Sequence, residues 1–218
     1  MRYRLAIFDL DGTVLDTLDD LANAVNVVLA RSGLPMRTRD EVRRFVGNGI
    51  RSLVERAVPT GTDRAKTDTV FADFKEYYGA HCAERTAPYK GVIELLKSLR
   101  AAGCRTAVLS NKADFAVQAL CHRYFEGLFD AVAGERESEG IPKKPAPDGL
   151  HAICKALHVP RERAVYIGDS EVDVATAQNA GLDAILVDWG FRTAAQLREA
   201  GASTVLSDTA ALAAAILA

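Results

Sequence analysis

Four short apolar runs, each cut off by a polar or acidic residue, constrain this chain more than any other feature. Leu5 to Phe8 runs into Asp9, Ala107 to Leu109 into Ser110, Val165 to Ile167 into Gly168-Asp169, and Ala184 to Val187 into Asp188. Apolar runs of this length without alternation read as strands buried on both faces, which is the habit of parallel sheets covered by helices. The segments between them supply those helices. Val92, Leu95, Leu96 and Leu99 recur at helical spacing before Gly103, and Leu150, Ile153, Cys154 and Leu157 do so after Pro147. The alternation predicts an α/β fold: a doubly wound parallel sheet with crossover helices on both faces.

The alternation breaks after the first strand. Residues 14–88 read as helices only, about 75 residues where a strand-to-helix loop ordinarily takes two to six. This predicts an inserted helical lobe. Leu18, Leu21, Ala22, Val25, Val28 and Leu29 form one apolar stripe in it, and Val70, Phe71, Phe74, Tyr77 and Tyr78 another. Thr38-Arg39-Asp40-Glu41 between them is a capping box. The Ala-rich stretch Ala210 to Ala218 reads as a closing helix.

With 218 residues, 49% of them hydrophobic, the chain can bury a full core and a modest second lobe. A net charge of -2 and the lack of any long Lys/Arg run argue against nucleic acid as a partner. Cys82, Cys104, Cys121 and Cys154 form no Cys-x-x-Cys pair, and the four histidines show no metal-ligand spacing, so zinc is not expected. The opening apolar stretch ends at Asp9, too short for a signal sequence or a membrane span. These features predict a cytoplasmic protein with reduced thiols and no membrane partner; the oligomeric state stays open.

Ligands of open α/β sheets bind at the carboxyl ends of the strands. Asp9, Asp11, Ser110, Lys144, Asp169 and Asp173 are therefore candidates for a single site. Asp9 and Asp11, two apart on an extended segment, point the same way, and like charges that close need a cation or a shared proton. A calcium loop is excluded: Gly12 comes too early, Asp20 stands where such a loop has its Glu, and an apolar strand precedes the segment. Asp169 and Asp173 add two more carboxylates, although Asp173 also suits the N-terminal end of a helix dipole. Four oxygen ligands with no nitrogen or sulfur favour Mg²⁺ over zinc or copper.

These motifs, Asp9-Leu10-Asp11-Gly12-Thr13, Ser110-Asn111-Lys112, Lys144-Pro145 and Gly168-Asp169-Ser170 with Asp173, stand in the order found in the haloacid dehalogenase superfamily, and the chain resembles that family. The resemblance implies a Rossmann-like core of residues 1–13 and 89–218, with residues 14–88 as a helical cap of the C1 type. It also implies a phosphatase in which Asp9 is the nucleophile and Asp11 the acid/base. Mg²⁺ would be held by Asp9, the Asp11 carbonyl and Asp169, with Asp173 in or beside that shell. Lys144 would be catalytic, and Thr13, Ser110 and Asn111 would surround the phosphate. The presence of Asp11 favours C-O-P chemistry over dehalogenase or phosphonatase chemistry.

Asp16-Thr17-Leu18-Asp19-Asp20-Leu21, Val46-Gly47-Asn48-Gly49 and Trp189-Gly190-Phe191-Arg192 look like phosphoglycolate phosphatases. That resemblance makes Asn48 and Gly49 candidate substrate contacts and 2-phosphoglycolate the expected small phosphorylated substrate. A sugar phosphatase, a β-phosphoglucomutase and a pyrophosphatase share the core motifs. A phosphoreceiver module is the non-enzyme alternative, opposed by Asp11 and by the helical insertion.

Overall fold

The structure, a computed structural model, describes residues 2–218. The chain begins with β1 (Leu5–Phe8) and β2 (Leu15–Asp16). Four helices follow, α1 (Leu18–Arg31), α2 (Arg39–Phe45), α3 (Gly49–Ala57) and α4 (Arg64–His81), before β3 (Ala87–Pro88). The remainder alternates: α5 (Val92–Ala101), β4 (Arg105–Ala113), α6 (Asp114–Phe125), β5 (Ala131–Glu135), α7 (Asp148–Ala156), β6 (Ala164–Gly168), α8 (Glu171–Ala180), β7 (Asp183–Val187), α9 (Ala194–Glu199), β8 (Val205–Leu206) and α10 (Thr209–Leu217). Two compact units result. One runs to Leu15 and resumes at Pro88–Ala218; the other is Asp16–Ala87.

The first unit is built on a six-stranded sheet in the order β5-β4-β1-β6-β7-β8, with parallel pairing from strand to strand. β1 lies inside it, fully buried on both faces as its unbroken apolar run requires. Leu5 and Ile7 pack with Ala107, Leu109, Leu150, Ile153 and Cys154 on one face of the sheet. Chain order reverses direction at β1: β4 and β5 lie to one side, β6, β7 and β8 to the other. Such a reversal opens a crevice at the strand ends. Register aligns those ends, because Phe8 pairs with both Val108 and Ile167. Asp9 therefore emerges between Leu109-Ser110 and Gly168-Asp169.

β5 and β8 escape the sequence reading because neither forms an apolar run: Ala131–Glu135 contains Gly134, and Val205–Leu206 is two residues long. β4 also runs past its expected end, carrying Ser110-Asn111-Lys112 within the strand with a register shift against β5 between Leu109 and Ala113. No helix among the described residues is long and apolar enough to cross a membrane.

In the helical unit the stripe of α1 is buried as its spacing requires. Thr38 caps α2 by accepting from the Glu41 amide at 3.2 Å while the Glu41 carboxylate accepts from the Thr38 amide at 2.7 Å. The α4 stripe divides. Val70, Phe74 and Tyr78 are buried, whereas Phe71 lies under the Arg51 guanidinium and Tyr77 stacks on His81, both at the rim. Their side chains have a cation or a ring to cover them, and so need no place in the core.

Asp20 is buried in this unit and accepts from the amides of Arg85 (3.0 Å) and Thr86 (2.9 Å) and from the Thr86 hydroxyl (2.8 Å). A carboxylate taking several donors is a strong local tie, worth about 1.5–3 kcal/mol per charged hydrogen bond. It pins the segment leading back to β3 onto the first turn of α1. Asp20→Ala is expected to lower stability by about 2–3 kcal/mol and to speed hydrogen exchange at the Arg85 and Thr86 amides. Unchanged exchange there would show that the tie is dispensable.

Candidate active site

The loop after β1 is shaped around one carbonyl. The amides of Val14 and Leu15 donate to the Leu10 oxygen at 3.1 and 3.0 Å, and the Gly12 amide donates to the Leu15 oxygen at 2.9 Å. Gly12 has φ +88, and a Cβ there would overlap the Asp169 carboxylate and the Phe191 ring, so only glycine fits. Gly190 is confined in the same way, since its Cβ would strike the Gly12 carbonyl and Asp169. Between these two glycines the Asp169 carboxylate accepts from the Thr13 hydroxyl at 3.1 Å and from the Phe191 amide at 2.7 Å. The Trp189 indole donates to the Thr13 carbonyl at 3.1 Å, closing that wall.

Asp9 stands at the end of β1, its amide donating to the Ile167 carbonyl at 2.8 Å. Lys144, 5% exposed, places its ammonium 2.9 Å from Asp9 Oδ1, 2.8 Å from Asp173 Oδ1 and 2.9 Å from the Tyr166 hydroxyl. The neighbouring Lys143 instead pairs with Glu137 at a half-exposed surface. Asn111 holds Lys144 from behind: its amide nitrogen donates to the Lys144 carbonyl at 3.0 Å and its oxygen accepts from the Lys144 amide at 2.8 Å. Expected at the phosphate, the Asn111 side chain is thus occupied in placing Lys144. Ser110 is buried, and its hydroxyl accepts from the Lys112 amide at 3.2 Å.

Asp9, Asp169 and Asp173 each bring a carboxylate oxygen within 4.8 Å of the others. The Asp11 side chain, expected among four ligating carboxylates, is not in this group; it forms an ion pair with the buried Lys112 at 3.0 Å. Asp173 belongs to the group but is already saturated. Lys144 and Tyr166 donate to its Oδ1, and the Asp169 amide, the Ser170 amide and the Ser170 hydroxyl to its Oδ2. It therefore orients Lys144 and the start of α8, as its capping box with Ser170 also indicates.

The charges do not balance. Against the three carboxylates, the described residues set the single ammonium of Lys144. Burial pushes Asp9 up to about 7, with Lys144 drawing it down and Asp173 driving it further up. Burial, then the charges of Asp173 and Asp9, push Asp169 well above the carboxylate range. Asp173 goes the other way: burial opposes its charge, but the Lys144 charge and the bonds from Lys144, Ser170 and Tyr166 hold it below the usual range. Burial likewise works against the Lys144 charge, yet Asp173 and Asp9 outweigh it and keep the ammonium protonated. The two negative charges left over, on oxygen donors alone, fit a hard divalent cation at Asp9 and Asp169.

Lys112, Tyr166, Gly190 and Phe191 were not singled out as site residues from sequence. Tyr166 carried a signal: a phenol in the buried run Ala164-Val165-Tyr166-Ile167 needs a polar partner. Lys112, a lysine continuing an apolar strand, carried another. Asn48 and Gly49 belong to the helical unit, at the start of α3, where Asn48 makes no side-chain capping bond. Arg51, in the same helix, is engaged by Glu55 at 2.8 Å and Asp68 at 2.5 Å.

A pH dependence follows from Asp9. Its carboxyl titrates near 7 in the folded chain against about 3.9 when unfolded. Between those values the native state binds the extra proton, so the contribution of Asp9 to stability, full below about pH 4, is lost as pH rises through about 7. In chelator, the stability of the wild type relative to Asp9→Asn, which has no proton to lose there, is expected to fall from pH 5 to pH 8. A constant or rising difference would contradict the burial argument.

Residues 6–187 match the family model for haloacid dehalogenase-like hydrolases. A phosphoglycolate phosphatase of Caulobacter vibrioides is 37% identical, over 84% of this chain and 78% of its own. One from Psychrobacter arcticus is 34% identical, over 97% of this chain and 95% of its own. A solved structure from Lactobacillus delbrueckii subsp. bulgaricus, provisionally named a phosphoglycolate phosphatase, is 38% identical with a TM-score of 0.93 over 99% of both chains. With its sheet, its buried acids and Lys144 arranged as described, the chain belongs to the haloacid dehalogenase-like hydrolases.

Proposed function

We propose that the chain is a Mg²⁺-dependent phosphatase that transfers the phosphoryl group of 2-phosphoglycolate to Asp9 and then to water. The observation that carries this reading is the pairing of two differently held aspartates: Asp9 against the Lys144 ammonium in the acidic cluster, Asp11 outside it on Lys112. In this reading one serves as the nucleophile and the other as the proton carrier.

The Asp9 carboxylate attacks phosphorus, a bond forms between its oxygen and the phosphoryl group, and the ester P-O bond breaks toward the leaving alkoxide. Asp11, which enters the cycle protonated, gives that alkoxide its proton. It then takes a proton from water, which attacks the aspartyl-phosphate and releases inorganic phosphate and the free Asp9 carboxylate. Lys144 stays protonated throughout and offsets charge on the transferring oxygens, joined by the Ser110 hydroxyl. The residues that would hold Mg²⁺ are Asp9 and Asp169 with the Asp11 carbonyl; the ion would supply the two positive charges that the cluster lacks. Thr13 and Asp173 steady that set.

Residues Asp16–Ala87 act in this reading as a cap that excludes water during transfer. Asn48 and Gly49 contribute an amide and backbone N-H groups for the substrate carboxylate, supported by the uncommitted Asn48 side chain and by left-handed φ values of +135 at Gly47 and +81 at Gly49. The phosphoglycolate phosphatase relatives support the choice of substrate.

Asp9→Ala is expected to cut steady-state turnover by roughly 10⁴-fold or more with circular dichroism unchanged; turnover within tenfold of wild type would remove Asp9 from its role. Activity should vanish in chelator and return with Mg²⁺, whereas Ca²⁺, with longer bonds and higher coordination, should inhibit. Full activity in chelator would end the metal reading. Among 2-phosphoglycolate, glucose phosphates, pyrophosphate and p-nitrophenyl phosphate, kcat/KM should be highest for 2-phosphoglycolate. A lead of more than tenfold for a sugar phosphate or pyrophosphate, about 1.4 kcal/mol in transition-state binding, would replace the substrate and leave the chemistry standing.

A further inference from the structure

The buried cations of the core are Lys112, Lys144 and Arg192. Lys144 is spread over Asp9, Asp173 and Tyr166, and Arg192 grips both Glu171 oxygens at 2.7 and 2.9 Å. Lys112 pairs with Asp11. Its side chain is 6% exposed, and it reaches Asp11 Oδ1, which is outside the three-acid cluster, at 3.0 Å. The Asp11 side chain is itself 16% exposed, the more open member of the pair.

We infer that Lys112 is a specificity residue: its ammonium recognises a carboxylate on the leaving group of the substrate, adjacent to the carbon that bears the ester oxygen. The inference rests on the reading of Asp11 as the residue that touches the leaving oxygen. A leaving oxygen hydrogen-bonded to Asp11 shares that partner with Lys112 Nζ and so lies two hydrogen bonds, about 5–6 Å, from it, a gap that a substituent on the neighbouring carbon can span. In the phosphate ester of a short 2-hydroxy acid, the carboxylate is attached to the carbon next to that leaving oxygen. An ammonium has three rotatable donors on a flexible stem, so it can keep Asp11 and take a substrate oxygen as well. A buried ammonium is costly without anions around it, and a charged hydrogen bond in such a place is stronger than a neutral one. A neutral alcohol offers Lys112 only hydroxyl dipoles; a carboxylate offers a full charge. The core can then discriminate leaving groups by charge, independently of Asn48 and Gly49 in the helical unit.

The test is a cycle of two substrates and three enzymes. The substrates are 2-phosphoglycolate and its primary amide, which has nearly the same shape and no carboxylate charge; the enzymes are wild type, Lys112→Met and Lys112→Arg. Wild type is expected to favour the acid over the amide at least tenfold in kcat/KM. Lys112→Met slows both substrates because Asp11 loses its partner, but the preference falls below about threefold, mainly through a raised KM for the acid. Lys112→Arg, which keeps the charge, retains most of the preference at reduced rate. An undiminished preference in Lys112→Met overturns the inference, leaving Lys112 as a prop for Asp11. So does equal use of acid and amide by wild type, a result that needs no variant to fold. Those outcomes are distinct from failure of the substrate reading, in which wild type would favour a sugar phosphate or pyrophosphate over 2-phosphoglycolate itself.

Discussion

Everything around the candidate site depends on one buried ammonium. Lys144 sits between Asp9 and Asp173, and its ammonium contacts both carboxylates and the Tyr166 hydroxyl in the core. Removing water from three carboxylates costs far more than their separate hydrogen bonds return, so the site is tolerable only with positive charge inside it. One lysine supplies part of that charge. It also divides the acids by role: Asp173, bonded to Lys144 and saturated by four other donors, stays ionised, whereas Asp9 and Asp169 are pushed upward and await a counter-charge. The same imbalance makes the site both costly for the metal-free fold and receptive to a cation.

Placing that ammonium takes a surprising share of the sheet. Tyr166 reaches it from β6, Asn111 clamps its backbone from β4, and Asp173 meets it from the first turn of α8. Each of these comes from a different strand or crossover, and parallel register aligns the ends of β4 and β6 with that of β1, Phe8 lying opposite Val108 and Ile167. A shift of one residue in that register would turn every strand-end side chain to the wrong face. The glycines at 12 and 190 complete the arrangement by letting two backbones close on Asp169 where no Cβ would fit.

Much of this was legible in the chain itself. Abrupt acidic endings on apolar runs located β1, β4, β6 and β7 and brought Asp9, Ser110 and Asp169 to one edge, because burial on both faces leaves a sequence few alternatives. Less legible were assignments that turn on direction rather than position. Sequence spacing put Asp11 with the other acids, but the loop turns at Gly12 and sends its carboxylate to Lys112. Asn111 lies within a motif that suggests phosphate contact, yet its amide matches the peptide of Lys144, a pairing made across 33 residues that no local pattern encodes. β5 was missed for a simpler reason: its core is shared with α6 and the strand is only half-buried, so it never needed an apolar run.

The central claim is that Asp9 carries the phosphoryl group. It is tested most directly in Asp11→Asn, where the nucleophile remains and is phosphorylated slowly, while hydrolysis of the adduct loses its proton carrier. Mixing this variant with 2-phosphoglycolate and Mg²⁺, quenching in acid within one turnover and locating the adduct by peptide mass spectrometry should find a phosphoryl group on Asp9, accumulating before inorganic phosphate appears. Phosphate release at the wild-type rate with no adduct, or an adduct on another residue, would contradict the account.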